Sequence, residues 1–567
     1  MSILSLNIKI EDNPRSIKIK DVAIGAKNMR IDFSKAFHFS SRNLTLSAWI
    51  LAAFSFLSAI LGLFRDRLLA SNFGASRELS IYAASFRIPD LVYNLLIAGG
   101  LSIAFLPVFA DYFSRDKKRA WEIASNILNI FIVFLTGLSI VFCIFTPWLI
   151  KFIVPGFSLT ERQEVINLTR ILFLSPVLFG MANILSGVLQ YFQKFVALGM
   201  APILYNLGII FGIIFLSPRM GILGVGVGVI IGAFLYFLSQ LTAAIFCGFS
   251  WQKQFNFKDP ASTTIFRLAV PRLISVASQQ VNLLVITAIA STISSGAIAI
   301  FYYANNLQGM IVSLIGVSFA SATFPLLARA VSEENEKEFL KNFSSAFRQI
   351  LFFTIPSSIL LFLLKSNVVK IILQSGKFDS EAVKLTVAGL GIFAISIFAQ
   401  AGNHLLVRTF FSLKQGRRPA EIAVFSSILN VCLALLFVNL LSNQTWFRSF
   451  FEGISGLKGV SHVSIIGLIL AFSISTIFQF ILLLISLKGK VNRESLPEIL
   501  ESSVKIILAS IVMIILVLPL MGFKANIIFQ TVLVSLLAGL VYLLASHFLG
   551  SRELNYFKES LLKRFKE

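Results

Sequence analysis

"SIYAASFRIPDLVYNLLIAGGLSIAFLPVF" (Ser80–Phe109) is apolar enough to lie in a membrane, yet Arg87, Pro89 and Asp90 interrupt its first half. A charge at bilayer depth costs about 2.5 kcal/mol or more, so such residues face a protein interior or a wet cavity. Pro89 removes a backbone hydrogen bond, and the carbonyl it frees must find another partner. The stretch therefore reads as a membrane helix that borders a polar interior.

The surrounding chain has the same character. Of its 567 residues 56% are hydrophobic and 13% charged, against about 25% charged in a soluble domain. Apolar runs of membrane-spanning length recur along almost the whole sequence, and the short alternating segments of a transmembrane barrel do not. The fold class expected is an all-α polytopic membrane protein. Hydropathy and breakers predict about fourteen helices, near 44–64, 79–112, 122–150, 167–193, 196–217, 221–248, 264–290, 296–329, 346–373, 381–412, 419–442, 460–487, 501–522 and 526–549.

Charge orients these spans. The formal net charge is +22, and the basic residues sit in short loops beside hydrophobic runs, which points to membrane orientation and anionic headgroups rather than nucleic acid. Arg115–Arg119, Arg417-Arg418, Lys488–Arg493 and the tail at Lys563–Lys566 fall on one face, expected to be cytoplasmic with both termini. A loop at 365–384, with Lys365, Lys370, Lys377 and Lys384, is expected on the other face. Residues 1–43 read as a polar cytoplasmic extension, with no signal-peptide core. Cys143, Cys247 and Cys432 have no metal-like spacing, and no disulfide framework is implied.

The chain also resembles itself. Ala104–Ala110 (AFLPVFA) and Ala322–Ala328 (ATFPLLA) close the second and eighth spans about 218 residues apart. The expected organisation is a first lobe at 44–250, a second at 260–490, a helix pair at 495–550 and a basic tail at 551–567. Six helices per lobe give parallel repeats with a site between them. The offset sets Asn305 opposite Arg87 and Gln308 opposite Asp90, neutral where the first lobe is charged.

Other polar residues in the spans are Arg65 and Asp66, Arg77, Arg272, Gln279, Gln280 and Asn282, and His404 with Arg408. For Arg65, Arg77 and Arg408, near span ends, the composition favours headgroup snorkelling. Arg87 and Arg272 each have a proline nearby and lie inside a span, which favours function. Arginines converging on an interior space would bind an anion, and their forked donors suit phosphate. No Walker loop, metal-spaced cluster or nucleotide turn is present, so neither an enzyme nor a cofactor is expected.

Leu61–Ser76 (LGLFRDRLLASNFGAS), Phe86–Phe109, Tyr302–Gln308 (YYANNLQ), Gly376–Ala382 (GKFDSEA) and Val407–Ala423 (VRTFFSLKQGRRPAEIA) resemble the MurJ/MviN family of lipid II flippases. That family lies within the multidrug/oligosaccharidyl-lipid/polysaccharide exporter superfamily. The resemblance implies fourteen helices, two six-helix lobes and a cationic central cavity of alternating access. Its implied cargo is lipid II, a polyprenyl pyrophosphate bearing a disaccharide-peptide, moved across the bacterial cytoplasmic membrane. The implied partners are that lipid, anionic membrane lipids and the cell-wall synthesis machinery. Arg65, Asp66 and Arg87 are carried over as headgroup ligands or gate-pairing charges. Asp90, Asn305, Asn306, Gln280 and Arg408 are secondary cavity candidates.

Several charged positions of the family are neutral here, at Ala59, Ser80, Tyr93, Asn94, Ala98, Asn305 and Asn306. Acidic positions that hold sodium in some members fall at Ile286 and Gln415, so no metal site is expected. Arg272 is expected to replace some of the lost positive charge. Alternatives to a lipid II flippase are a flippase for another polyprenyl-pyrophosphate glycan, a cation/drug antiporter, or a non-transporting scaffold. The shortage of buried carboxylates argues against the antiporter.

Overall fold

The computed structural model describes residues 44–95, 101–487, 495–523 and 526–555, with the side chains of 44–49, 101–104, 264–276 and 495–496 outside that description. Residues 1–43 and most of the basic tail therefore lie outside the described residues, as does Ala98. Among the described residues every regular element is a helix.

The helices are α1 (Leu44–Phe73), α2 (Arg77–Ser85), α3 (Arg87–Tyr93) and α4 (Leu101–Arg115), then α5 (Lys117–Ile153), α6 (Leu159–Tyr191), α7 (Phe195–Met220) and α8 (Ile222–Phe246). They continue as α9 (Pro260–Ile293), α10 (Ala297–Ser332), α11 (Glu336–Ile372), α12 (Ser380–Ser412) and α13 (Arg417–Ser442). The short α14 (Trp446–Ser455) precedes α15 (Ile465–Leu487), α16 (Pro497–Gly522) and α17 (Ile527–Phe548). Among the described residues, 11 of these helices are long and apolar enough to cross a membrane. The rods at the expected first, second and seventh spans are α1, the broken series α2–α4, and α9.

Caps set the boundaries. Ser158 and Glu161 form a reciprocal capping box that starts α6 at Leu159 rather than near 167. The Asn335 side chain accepts from the Glu338 N–H and starts α11 at Glu336 rather than 346. The expected loop at 365–384 is likewise shorter. Lys365 and Lys370 lie in α11 and Lys384 in α12, leaving Lys377 in the connection. The Lys365 Nζ rests 3.9 Å over the Phe362 ring.

Helices α7 and α8 approach through glycine. A Cβ on Gly212 would stand 2.6 Å from the Gly228 Cα, and one on Gly208 would collide with Gly232. With no hydrophobic drive between helices in lipid, such close backbone contact is what supplies attraction. At one end of the molecule, here the sealed end, connections from distant parts of the chain meet backbone to backbone. A Cβ on Gly74, Gly156, Gly296 or Gly376 would strike the carbonyl of Lys377, Ser291, Ala75 or Ser71 respectively. The Lys377 N–H donates to Ser71 O at 3.0 Å.

Candidate functional site

Roughly a quarter of the way in from the sealed end a polar layer crosses the helices. Arg65 lies eight residues before the end of α1, about 12 Å along the axis, and Asn305 lies equally deep in α10. Arg65 is tied down. Its Nε and Nη2 donate to Asp66 Oδ1 at 3.0 and 2.8 Å, and its Nη1 donates to Asn206 Oδ1 at 3.1 Å. Asn206, buried in α7, is itself held by Ser58 and the Pro202 carbonyl at 3.2 Å. Asp66 is buried and takes a longer contact of 3.4 Å from Asn306 Nδ2 in α10, so this cluster joins α1, α7 and α10.

Arg87 begins α3, where the chain bends at Phe86. Pro89 cannot donate to the Ser85 carbonyl, and that carbonyl instead accepts from Thr169 Oγ1 of α6 at 3.2 Å. The neighbouring helix thus meets the hydrogen-bonding demand of the break. Arg87 Nε donates to Thr287 Oγ1 of α9 at 2.7 Å. Among the described residues, its two terminal nitrogens make no hydrogen bond, although the side chain is half-buried. Asp90 follows one turn on and interacts electrostatically with it. Tyr302 stands near both Arg65 and Arg87 and meets Tyr82 edge-on at 6.5 Å. Arg65, Asp66, Arg87 and Asp90 therefore share one neighbourhood with Tyr302.

Beside this group the layer is neutral. Gln308 and Gln400 exchange amide hydrogen bonds at 3.1 and 2.8 Å, and Gln308 also donates to Asn305 at 3.1 Å. Gln280 is half-buried on α9, while Ser278 and Asn282 on the opposite face bind Ser427 and Asn430 of α13. Arg408 is not gathered into the group. Near the end of α12 its Nη1 donates to Ser321 Oγ at 2.6 Å and to the Val317 carbonyl at 3.2 Å. The backbone of Arg272 belongs to α9, but its side chain lies outside the described residues. Arg77 pairs with Glu161 and Glu164 at 3.1 and 3.5 Å, at the sealed end.

Sequence reasoning missed Thr287, Asn206 and Tyr302 as members of this layer. Asn206 was findable, because it is a lone amide in the apolar run "MAPILYNLGIIF". Among the described residues, no three His, Cys, Asp or Glu side chains gather closely enough to hold a metal ion.

A bundle of spanning helices with paired charges in its interior is the architecture of a polytopic α-helical membrane protein, and solved structures share the fold. An inward-facing multidrug resistance MATE family transporter of the MOP superfamily aligns with TM-score 0.59 and 15% identity, over 78% of this chain and 98% of the other. The structure of lipid II flippase MurJ in its inward closed conformation aligns with TM-score 0.68 and 24% identity, over 88% and 98% of the two chains. The family model described as lipid II flippase MurJ matches residues 69–542. The chain belongs to that family. It is 27% identical to the probable lipid II flippase MurJ of Buchnera aphidicola subsp. Acyrthosiphon pisum, over 88% of this chain and 96% of that protein. It is also 25% identical to the lipid II flippase MurJ of Burkholderia cenocepacia, over 71% and 80% of the respective chains.

Proposed function

We propose that this chain carries lipid II from the inner to the outer leaflet of the bacterial cytoplasmic membrane by alternating access, with both termini cytoplasmic. One observation supports the reading most directly. Among the described residues Arg87 keeps its two terminal guanidinium nitrogens free of hydrogen bonds in the bundle interior, beside Asp90 and in the neighbourhood of the Arg65–Asp66 pair. A pyrophosphate presents the paired oxygens such a fork binds.

In this reading Asp66 and Asp90 are resident counter-charges. They keep Arg65 and Arg87 from standing unpaired at bilayer depth when no cargo is bound. An incoming pyrophosphate competes with them, while the polyprenyl tail stays in lipid and no covalent bond changes. The backbone seal around Gly74, Gly156, Gly296 and Gly376 then has to part before the cargo leaves on that side. Arg272, Asn305, Asn306, Gln280 and Arg408 line or flank the path in this reading, and the cell-wall synthesis machinery is its downstream partner.

Complementation tests it. In a bacterium depleted of its own lipid II flippase, this chain should restore access of an external probe to lipid II. Hydrogen bonds to a charged group are worth about 1.5–3 kcal/mol, so Arg87→Ala should weaken cargo binding by roughly ten- to a hundredfold. Arg87→Lys should restore part of it. Full rescue by both Arg87→Ala and Arg65→Ala would rule out the arginine layer as the binding site. A second reading, a flippase for another polyprenyl-pyrophosphate glycan, draws on the neutral Tyr93, Asn94, Asn305 and Asn306. It predicts normal trafficking of that other glycan and no rescue in the lipid II assay.

A further inference from the structure

At the end of the bundle opposite the seal, a cavity of about 520 Å³ opens between α10, α11, the start of α16 and the segment after α17. None of the polar layer described above takes part in it. One wall is apolar, made by Phe319, Ala322 and Leu326 of α10, and Leu326 is exposed on its outer face. The facing wall is a single stripe of α11 running from Lys337 through Lys341 and Ser344 to Arg348. Residues three, four, seven and eleven apart share a helix face, so the stripe extends about 16 Å along the axis.

The charges are unequal in their commitments. Arg348 meets the buried Glu553 at 3.3 Å, and Glu553 is also held by Ser502 and Ser551 at 2.8 Å each. Arg552 pairs with Glu498 at 3.3 Å. Lys337 and Lys341 make no ion pair among the described residues. Deeper in the same wall Ser344 is 2% exposed, and its Oγ has no hydrogen-bond partner. Ser344 lines the cavity, so this hydroxyl is free to serve a group that enters it. Two uncommitted ammonium groups at the mouth, an unpaired donor within and an apolar wall open to the side suit one chemistry.

We propose that this cavity binds the phosphate headgroup of a lipid, with Lys337 and Lys341 on the phosphate, Ser344 on a headgroup oxygen and the chain along Leu326. A bilayer phospholipid and a polyprenyl phosphate share that chemistry, and binding here does not depend on the transport reading.

The test is native mass spectrometry of the full chain in detergent, with phosphatidylglycerol, undecaprenyl phosphate, inorganic phosphate or phosphatidylcholine added separately. One anionic phosphate-headed lipid should bind per chain in preference to phosphatidylcholine, whose phosphate is neutralised by its own choline. Reversing both charges, Lys337→Glu with Lys341→Glu, should lower its occupancy about tenfold or more, since each basic residue near an anionic lipid contributes about 1 kcal/mol. Ser344→Ala, which removes only the hydroxyl, should lower it by a smaller factor. Binding of phosphatidylglycerol alone assigns a bilayer lipid, and binding of undecaprenyl phosphate alone assigns an isoprenoid carrier. Inorganic phosphate binding as well as either lipid, or occupancy within twofold of wild type in both variants, would overturn the proposal.

Discussion

The stretch Arg77–Arg115 and the stretch Ala297–Ser332 are set against each other by the sequence offset of about 218 residues, and only the first is broken by a proline at its polar level. Each leaves the regular helical hydrogen-bond pattern inside the membrane. In the first, Pro89 breaks the chain between α2 and α3, and Thr169 of α6 takes up the orphaned Ser85 carbonyl. In the second no proline intervenes at that level. The helix runs unbroken through that level and then widens into a π turn at Val312–Val317, as the first stretch also does at Asn94 and Leu95, and there Gly316 lets Ala401 approach and Arg408 takes up the Val317 carbonyl. The charge pattern follows the same division. The broken helix brings Arg87 and Asp90 beside Arg65 and Asp66, whereas the unbroken one presents Asn305, Asn306 and Gln308. The lesson is that deformation alone does not require charge: among the described residues α1 and α3 bring the paired charges of the layer, and α10 brings amides.

The strongest way to break this contrast is to remove a counter-charge. Asp66→Asn leaves the half-buried Arg65 with neutral partners alone, and breaking a buried pair costs up to about 3–5 kcal/mol. Denaturant titration in micelles should register that loss. A shift under 1 kcal/mol would mean that water or lipid phosphate already compensates Arg65.

A middle-sized effect separates amides from ions. Gln308→Met strips Gln400 of its principal partner and should cost about 1–3 kcal/mol. Adding Gln400→Met should recover most of it, because replacing both partners with apolar groups of similar shape is nearly neutral. No such double replacement is expected to rescue Asp66→Asn with transport intact. If the methionine pair stayed as destabilised as the single variant, the neutral side would be as interdependent as the charged one.

How much of this was legible follows from where the information sits. Apolar runs fix that helices exist and roughly where, because hydrocarbon permits little else for a lipid-facing segment. Pro89 announced the break, and Arg87 announced a polar interior. The true starts of α6 and α11 were hidden, because their first turns are polar and read as loop until the caps at Ser158 and Asn335 are recognised. The short α14 was overlooked, although Trp446, Phe450 and Ile454 fall on one face at intervals of four and are exposed, as in a helix lying along a membrane surface. The partners of the arginines were beyond reach. Arg65 finds Asn206 and Arg87 finds Thr287, 141 and 200 residues away, and only the packing of α7 and α9 decides those meetings. The sequence offset paired Asn305 with Arg87. The structure adds that Asn305 serves Gln308, a role visible only once α10 and α12 are seen together.

The smallest effect tests the break itself. Thr169→Val keeps the shape of a fully buried side chain but removes the hydroxyl that serves the Ser85 carbonyl. A net hydrogen bond is worth about 0.5–1.5 kcal/mol, and an unsatisfied carbonyl adds its own desolvation cost, so stability should fall by about 1–2 kcal/mol. Pro89→Ala supplies the missing N–H from within the helix, after which the Ser85 carbonyl no longer needs Thr169. In that background Thr169→Val should cost less than half as much, a coupling that a double-mutant cycle measures directly. Equal costs in the two backgrounds would show that Thr169 stabilises α6 for some other reason, and the division between a charged broken helix and a neutral unbroken one would lose its mechanical basis.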